Sequence, residues 1–325
     1  MSIFDEASVL VTGGTGSFGK RFVQALLETG SPRRVVVFSR DELKQFEMQQ
    51  AYPDEARLRF FIGDVRDSAR LNRAFHGIDY VIHAAAMKQV PAAEYNPFEA
   101  VKTNVHGAQN VIDAAIDQGV RRVIALSTDK ACSPVNLYGA TKLVSDKLFI
   151  SGNNYAGGTA TRFAVVRYGN VVGSRGSVVP FFKGLVARGR LPITDERMTR
   201  FWITLDEGVR FVMDSLELMS GGELFVPKIP SMRVVDLAKA MAPDAQLEIV
   251  GIRPGEKIHE EMINVSDART TLDMGDHYII QPQFPWWRGD HLGGTPVPDG
   301  FAYASDINDR WLSVDELRVM VANTP

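Results

Sequence analysis

Residues 8–19 read Ser-Val-Leu-Val-Thr-Gly-Gly-Thr-Gly-Ser-Phe-Gly, a short apolar run that passes directly into a glycine-rich turn. The apolar run is typical of a buried parallel strand, and the spacing of residues 18–28 predicts a helix after the turn. Glycine permits a tight turn and a close approach of backbone to a pyrophosphate, while a helix start offers unpaired N–H groups. In this strand–turn–helix setting the pattern predicts a dinucleotide site formed by Gly13, Thr15, Gly16, Ser17, Phe18 and Gly19.

The first half of the chain repeats this alternation of strand and helix. Further apolar runs predict strands at residues 35–39, 58–63, 80–83, 123–127 and 164–168, with helical patterns between them at, for example, residues 41–51, 100–118 and 136–151. Such regular alternation predicts an α/β fold with a Rossmann-type, doubly wound parallel sheet that has helices on both faces. We expect residues 1–170 to form this nucleotide-binding domain and to carry the catalytic residues.

The pattern loosens from residue 171 onward. Helical spacing recurs at residues 179–188, 205–219 and 234–241, and short strands are predicted at residues 223–226 and 247–250. Residues 289–300 are rich in Gly and Pro and are expected to be irregular, whereas Ser313 and Glu316 predict a capping box before a helix at residues 313–321. We expect residues 171–325 to form a smaller C-terminal α/β domain that mainly binds substrate, with chain crossings back to the Rossmann sheet.

Composition excludes several functional classes. The chain has 325 residues, of which 45% are hydrophobic and 23% charged, so it can bury a sizeable core. Its net charge of -3 gives no support for binding nucleic acid or an anionic membrane. Without an apolar run of membrane-spanning length or a signal-peptide pattern, a cytoplasmic protein with no nucleic-acid or membrane partner is expected. The single cysteine, Cys132, fits a reducing compartment, and His259 has no second histidine at ligand spacing, so no metal is predicted.

The end of the second predicted strand bears on the choice between NAD and NADP. An acidic residue there would bind the ribose 2′-hydroxyl, but this chain has Ser39 and Arg40, with Lys44 in the next helix. These cations would pair with a 2′-phosphate, so NADP is the predicted cofactor, while the neighbouring Asp41 leaves NAD open. The ends of the third and fourth strands supply the remaining predicted cofactor contacts, namely Asp64, Val65, Ala84, Ala85 and Lys88.

The fifth predicted strand and the following helix carry acid and base groups. The strand ends in Ser127-Thr128-Asp129-Lys130, and Tyr138 and Lys142 lie four residues apart on the helix, hence on one face. A lysine ammonium beside a phenol predicts a lowered pKa for Tyr138 and a role in proton transfer, while Asp129 and Lys130 form a second acid/base pair. The Tyr-x-x-x-Lys pattern alone is equally compatible with a surface helix, and it gains weight from the predicted nucleotide site.

Together these motifs resemble the extended short-chain dehydrogenase/reductase family. Residues 39–44, 83–88, 127–130 and 195–202 narrow the resemblance to the inverting UDP-N-acetylglucosamine 4,6-dehydratases, and residues 267–274 and 299–303 to the branch that starts pseudaminic acid synthesis. In the retaining 4,6-dehydratases the acid/base pair is Asp-Glu, whereas here Lys130 occupies the glutamate position, which implies a stereochemical difference at C5. Simple 4-epimerases generally lack this pair, so it argues for an elimination.

The resemblance also implies a mechanism. Tyr138, supported by Lys142 and with Thr128 at the C4 oxygen, removes the C4 hydroxyl proton while a hydride passes to NADP. Lys130, when neutral, takes the C5 proton, and protonated Asp129 gives its proton to the departing C6 hydroxyl. The hydride returns to C6, and C5 is reprotonated from the opposite face. The product would be UDP-2-acetamido-2,6-dideoxy-beta-L-arabino-hex-4-ulose.

A UDP-sugar brings phosphate charges that local cations must meet. Each candidate arginine alone is more typical of a surface salt bridge than of a ligand contact, but the cluster after the last predicted Rossmann strand favours substrate binding. The predicted substrate-binding residues are Lys88, Asn170, Arg175, Thr194, Arg197, Met198, Arg200, Arg253 and Glu256.

Three other functions remain open on the sequence. They are a capsule-type UDP-sugar dehydratase/epimerase, a UDP-sugar 4-epimerase, and a non-catalytic NADP-binding sensor. A sensor typically lacks the Tyr or Lys of the catalytic set, both of which are present. By analogy with the fold, we expect a homo-oligomer, a dimer or a hexamer, with the helices at residues 100–118 and 136–151 at the dimer interface.

Overall fold

The fold is given by a computed structural model that describes residues 2–174, 176–285, 287 and 293–322. The strands within these residues are β1 (Ser8–Thr12), β2 (Arg34–Ser39), β3 (Leu58–Ile62), β4 (Tyr80–His83), β5 (Arg122–Thr128), β6 (Arg162–Tyr168), β7 (Asn170–Val171), β8 (Arg190–Ile193), β9 (Thr199–Ile203), β10 (Leu224–Pro227), β11 (Ser231–Arg233), β12 (Gln246–Ile249), β13 (Glu261–Ile263), β14 (Thr271–Asp273), β15 (His277–Ile280), β16 (Thr295–Pro296) and β17 (Tyr303–Ala304).

The α-helices of the same part are α1 (Ser17–Thr29), α2 (Glu42–Gln50), α3 (Ser68–Ala74), α4 (Val90–Tyr95), α5 (Pro97–Val101), α6 (Gly107–Asp117), α7 (Leu137–Ala156), α8 (Val178–Lys183), α9 (Leu205–Leu218), α10 (Val234–Met241), α11 (Val265–Ala268) and α12 (Val314–Ala322). A π-helical segment, Lys102–His106, joins α5 to α6, and short 3-10 turns occur at Asp129–Ala131 and Val186–Arg188.

The main sheet confirms the predicted Rossmann-type fold. Within the described residues it has ten strands in the order β3-β2-β1-β4-β5-β6-β10-β15-β14-β16. The pairs from β3 to β10 are parallel, and β15, β14 and β16 continue the sheet antiparallel. Because β1 lies between β2 and β4, the strand order reverses there, and ligands of such sheets bind at the carboxyl ends of the strands beside this point.

Burial on both faces explains the sequence of the central strands. All residues of β1 and β4 are buried, and the middle residues of β2, β5 and β6 are buried as well. Helices cover both faces, so these strands read as continuous apolar runs rather than as alternating ones. Helix α1 contributes Phe22, Val23 and Leu26 to the same core.

The residues after 171 form a second, smaller core and also extend the main sheet. Strands β7, β9 and β11 make a small sheet, β8 pairs with β12, and the core between them contains Phe182, Leu191, Trp202, Leu237 and Leu317. The chain then returns to the main sheet through β10 and β14–β16. Strands from both sides of residue 170 therefore share one sheet, and the domain boundary at that position stays a prediction.

Several predicted elements differ from the structure. The helix predicted at residues 179–188 is interrupted: α8 ends at Lys183 with Gly184 as its C-cap, and Val186–Arg188 form a separate 3-10 turn. Strands β7–β9, β11 and β13–β17 were not predicted, since runs of two to five residues are too short to display a period. Residues 289–292 of the stretch predicted to be irregular lie outside the described residues, and β16 forms within the remainder.

The predicted capping box of the last helix is present. The Ser313 backbone N–H donates to Glu316 Oε2 over 2.8 Å, and the Glu316 N–H donates to Ser313 Oγ over 3.3 Å. No helix in the described part of the chain has the length and apolar character needed to cross a membrane.

Candidate active site

A cavity of about 610 Å³ lies at the carboxyl ends of the parallel strands. It extends from the glycine-rich turn after β1, past the ends of β2 and β4, to the end of β5 and the start of α7. This is where a doubly wound sheet binds its ligand. The residues predicted to bind the cofactor all line it: Gly13, Thr15, Gly16, Ser17, Phe18, Gly19, Ser39, Arg40, Lys44, Asp64, Val65, Ala84, Ala85, Lys88, Tyr138 and Lys142.

The glycine-rich turn is shaped for a close backbone approach. Gly13 has a φ of 65°, and a Cβ there would lie 2.9 Å from the Ala85 backbone nitrogen. A Cβ on Gly19 would lie 2.5 Å from Gly14 Cα, so the start of α1 packs directly on the turn. No side chain caps α1, whose N-cap is Gly16. The first N–H groups of the helix thus remain for a ligand, and this cradle fits a pyrophosphate.

The end of β2 presents hydroxyl and cationic groups to the cavity. Ser39 Oγ lies 2.8 Å from Thr15 Oγ1, and the exposed Arg40 guanidinium is 3.6 Å from the Asp64 carboxylate. Asp41 instead caps α2, accepting the Lys44 backbone N–H over 3.0 Å, and it also pairs with the Lys44 ammonium. Arg40 and Asp41 both line the cavity, but the charge of Asp41 is offset by the start of its own helix and by Lys44.

The predicted acid/base pair is in direct contact. Lys130 Nζ donates to Asp129 Oδ1 over 2.9 Å and to Asn170 Oδ1 over 3.5 Å, and Thr128 Oγ1 donates to Asp129 Oδ1 over 2.9 Å. Asp129 is fully buried below the cavity, whereas the half-buried Lys130 lines it. The structure thus joins three of the predicted catalytic residues in one hydrogen-bonded group.

A second carboxylate, which the sequence reading missed, contacts Lys130. Glu260 Oε1 lies 3.4 Å from Lys130 Nζ, and the glutamate is 2% exposed. Burial alone would lower the pKa of Lys130, but Asp129 and Glu260 outweigh burial and raise this pKa above its ordinary value. Nothing in the sequence pairs Glu260 with a residue 130 positions earlier.

Tyr138 and Lys142 are both buried on the first turns of α7. The helix begins beside the 3-10 turn that carries Lys130, and Asn136 caps it by accepting the Gly139 N–H over 2.7 Å. Burial raises the pKa of Tyr138 to about 12, with the Lys130 charge and a Thr128 hydrogen bond opposing that rise. The predicted lowering by Lys142 is therefore wrong: the cation that favours the phenolate here is Lys130, and burial lowers the pKa of Lys142 itself.

Asp146 lies one turn beyond Lys142 and was also missed by the sequence reading. It accepts the Ser127 hydroxyl over 2.6 Å and pairs with Arg167 at 3.4 Å, and it is 1% exposed. Burial raises its pKa against the effect of Arg167. The i,i+4 spacing from Lys142 on one helix face is the sequence signal that could have found it.

The predicted substrate-binding residues divide into two groups. Lys88 and Asn170 line the cavity, and Arg175 lies outside the described residues. The other six do not line it in the part of the chain that the structure describes; they are Thr194, Arg197, Met198, Arg200, Arg253 and Glu256.

Most of the six residues that do not line the cavity make contacts elsewhere in the structure. Arg197 pairs with Asp195 at 2.8 Å on the surface, and Arg253 lies 3.7 Å from Glu256. Met198 belongs to the smaller core, and Arg200 binds backbone carbonyl oxygens and lies 3.7 Å from Glu260. Their roles at a substrate stay predictions.

His83, at the end of β4, fits a structural role. His83 is buried with its Nδ1 2.9 Å from Thr12 Oγ1, and burial lowers its pKa to about 3, so the ring is neutral. Across residues 2–174, 176–285, 287 and 293–322, no three His, Cys, Asp or Glu side chains are grouped to hold a metal ion.

Sequence comparisons place the chain among sugar-nucleotide enzymes. The family model described as "Polysaccharide biosynthesis protein" matches residues 9–282. The UDP-N-acetylglucosamine 4,6-dehydratase (inverting) of Campylobacter jejuni subsp. jejuni serotype O:2 is 56% identical, covering 99% of each chain. The UDP-glucose 4-epimerase of Rickettsia canadensis is 41% identical, covering 86% of this chain and 84% of its own.

Solved structures agree with this placement. Pen from Bacillus thuringiensis is 38% identical with a TM-score of 0.91, covering 99% of this chain and 98% of its own. The dTDP-glucose 4,6-dehydratase DesIV from Streptomyces venezuelae, solved with NAD and TYD bound, is 26% identical with a TM-score of 0.69, covering 77% and 86%. The chain therefore belongs to the polysaccharide biosynthesis protein family of extended short-chain dehydrogenases/reductases, together with the inverting UDP-N-acetylglucosamine 4,6-dehydratases.

Proposed function

We propose that this chain is a UDP-N-acetylglucosamine 4,6-dehydratase that inverts C5 and uses NADP. The observation that carries the proposal is the 2.9 Å contact between Lys130 and Asp129 at the edge of the nucleotide cavity. It brings an acid and a base to one place, as loss of water across C5 and C6 requires. The assignment to the first step of pseudaminic acid synthesis rests on the resemblance of residues 267–274 and 299–303.

The Asp129–Lys130 pair can reach its reactive form without gaining or losing a proton. The raised pKa of Lys130 makes the ammonium–carboxylate form the resting one. Transfer of one proton along the hydrogen bond, from Nζ to Oδ1, yields a neutral amine and a protonated carboxyl. The amine can then take the C5 proton, which a C4 ketone acidifies, and the carboxyl can protonate the departing C6 hydroxyl. The 2.9 Å contact between Nζ and Oδ1 gives this proton a direct path.

Tyr138 is proposed to take the C4 hydroxyl proton. Its buried phenol needs a positive charge nearby before it can ionise, and the Lys130 ammonium supplies that charge. Thr128, already bonded to Asp129, would orient the C4 oxygen. Lys88 and Asn170 are proposed as substrate contacts because both line the same cavity as Tyr138.

The glycine-rich turn and the end of β2 are proposed to hold the cofactor. A nicotinamide bound there would supply reversible oxidation and reduction of the sugar. The preference for NADP over NAD rests on Arg40, with Ser39 and Lys44, for the 2′-phosphate. The pairing of Asp41 with α2 and Lys44 supports this choice, since it offsets a negative charge that would otherwise repel the 2′-phosphate.

We also propose a cytoplasmic homo-oligomer in which residues 1–170 bind the nucleotide and residues 171–325 mainly bind the substrate. Large apolar side chains are exposed on α4, α5 and α7, including Tyr95, Phe98 and Tyr155, and they support self-association there. The buried free thiol of Cys132 fits a reducing compartment.

The alternative that a specific observation favours is a UDP-sugar 4-epimerase, because such an enzyme is among the relatives. UDP-N-acetylglucosamine carrying deuterium at C4 distinguishes the two reactions. A 4,6-dehydratase moves the label to a C6 methyl group, whereas an epimerase leaves it at C4 and retains the C6 hydroxyl. If NMR shows the label at C4 of a product that still has its C6 hydroxyl, the dehydratase proposal is wrong. A non-catalytic sensor would leave the substrate unchanged.

A further inference from the structure

Glu260 is a buried carboxylate that the proposed chemistry does not yet use. It lies just before β13, and its backbone is fixed by two hydrogen bonds with Ser305, at 2.9 Å from the Glu260 N–H to Ser305 Oγ and 2.8 Å from the Ser305 N–H to the Glu260 carbonyl. Its side chain is 2% exposed and points toward the Lys130 ammonium. A carboxylate held this rigidly away from water has a cost unless nearby charge offsets it.

Three cations surround this carboxylate. Lys130 Nζ lies 3.4 Å and Arg200 Nε 3.7 Å from Oε1, while Lys257 Nζ lies 3.8 Å from Oε2. Oε2 is buried and has no hydrogen-bond partner within the described residues. Arg200 and Lys257 are themselves bound to backbone carbonyl oxygens, of Thr199 and Cys132 respectively, so they form a fixed frame around Glu260.

Lys130 is thereby held between two carboxylates. Asp129, in the same 3-10 turn, lies 2.9 Å from the Lys130 ammonium. Glu260, just before β13, lies 3.4 Å from it. The other charged or titratable groups that act on Lys130 are Arg200 on β9, Lys88 after β4 and the phenol of Tyr138 on α7. Asp129 must be protonated in the proposed elimination, so Glu260 is the anion that remains beside the lysine.

We propose that Glu260 is a positioning residue for Lys130: it fixes the amine at the cavity edge and stabilises the ammonium that forms when Lys130 takes the C5 proton. The part of this inference that concerns the C5 proton rests on the proposed function. The electrostatic effect of Glu260 on Lys130 is independent of that function. Lys130 can then transfer its proton to Asp129 and accept the C5 proton of the substrate while its amine stays in the same position.

The test is Glu260→Gln, which removes the charge and keeps the shape. The variant and the wild type are labelled with limiting acetic anhydride across a pH series, and acetylation of Lys130 is measured by peptide mass spectrometry. Because only the neutral amine reacts, loss of the anion should bring Lys130 labelling to lower pH by about one unit or more. Exchange of deuterium into C5 of UDP-N-acetylglucosamine should fall by about tenfold or more, with its pH profile moved in the same direction.

Glu261→Gln is the matched control. Glu261 is the next residue, and its carboxylate accepts the Ser133 hydroxyl over 2.7 Å instead of contacting Lys130. This variant should label Lys130 at the wild-type pH. If Glu260→Gln also labels at the wild-type pH, the inference is wrong. If Glu260→Gln does not fold, Glu260→Asp is the alternative, because its shorter side chain keeps the charge but moves it away from Lys130. Unchanged labelling and exchange in Glu260→Asp would also overturn the inference.

The labelling of Lys130 and the formation of product together separate this inference from the proposed function. If wild-type protein gives no C6-deoxy product but Glu260→Gln shifts the labelling of Lys130, the proposed dehydratase activity fails and the role of Glu260 stands. If the product forms and the labelling does not shift, the activity stands and the role of Glu260 fails.

Discussion

Lys130 is the residue on which the proposed reaction depends most closely. Two carboxylates and the Asn170 amide oxygen hold its amine at the cavity edge. A lysine acts as a base only when it can give up its proton, and Asp129 lies close enough to receive it. The identity of residue 130 thus links the sequence to the stereochemistry at C5.

Replacing Lys130 by alanine should stop C5 exchange without unfolding the protein. We expect incorporation of solvent deuterium at C5 to fall by about 10²-fold or more, because the general base is lost. NMR of the sugar in heavy water measures it. Lys147→Ala is the control, since Lys147 is an exposed lysine on α7 and should exchange at the wild-type rate. Exchange at the normal rate in Lys130→Ala would mean that another group is the base.

Arg40 should set the preference for NADP. Its guanidinium faces the cavity beside Asp64, and a charge-assisted bond to a 2′-phosphate is worth about 1.5–3 kcal/mol. Arg40→Ala should therefore weaken NADP binding by about tenfold or more while NAD binding changes little, as measured by calorimetry with each nucleotide. Arg34→Ala, at the opposite end of β2, should leave the ratio of the two affinities unchanged. An unchanged ratio in Arg40→Ala would refute the assignment.

The sequence predicts individual residues well where chemistry and local pattern coincide. The glycine-rich turn, Ser39, Arg40 and Lys130 line the cavity, and the sequence brings them to notice because each belongs to a contiguous motif. Glu260 could not, since its partner is distant in the chain. The pKa of Tyr138 was predicted in the wrong direction because a sequence shows the nearby lysine but not the burial, which here has the larger effect.

Among the structural elements, helix α7 places Tyr138 next to the 3-10 turn that carries Lys130. Asn136 caps the helix, and its amide Nδ2 also donates to the Gly255 carbonyl over 2.8 Å, which ties the helix start to the later part of the chain. Gly139 lets the first turn pack against the 3-10 turn of Lys130. The position of Tyr138 relative to Lys130 therefore depends on one glycine contact.

Gly139→Ala should disrupt this contact. A Cβ there would collide with the Lys130 carbonyl oxygen and lie 3.0 Å from the Lys130 carbonyl carbon, so the turn or the helix must shift. We expect turnover to fall by about 10²-fold, since small displacements of catalytic groups have effects of that size. Gly158→Ala is the control, because a Cβ there would have no atom within 4 Å. Equal turnover in the two variants would contradict the role given to this packing.

Elements differ in how far the sequence predicts them. The longer strands and helices of the first half agree with the structure within a few residues, because buried parallel strands and amphipathic helices leave long patterns. The helix predicted at residues 100–118 is continuous but contains the π-helical segment Lys102–His106, which no pattern indicated. The short strands after residue 260 depend on partners supplied by the fold, and local sequence does not reveal them.

For the whole molecule, the sheet brings chemistry from distant segments to one edge. The strand order reverses at β1, and the ends of β1, β2, β4, β5 and β6 face one cavity. The chain then returns through β10 and supplies Glu260 to the same site. The proposal that water leaves the sugar rests on how these segments meet.

The most direct test is NMR of UDP-N-acetylglucosamine incubated with the wild-type protein and NADP in heavy water. The account predicts a C6-deoxy, 4-keto sugar with the L-arabino configuration and deuterium at C5. A product with the C6 hydroxyl intact, or a C6-deoxy sugar with C5 configuration retained, would contradict it.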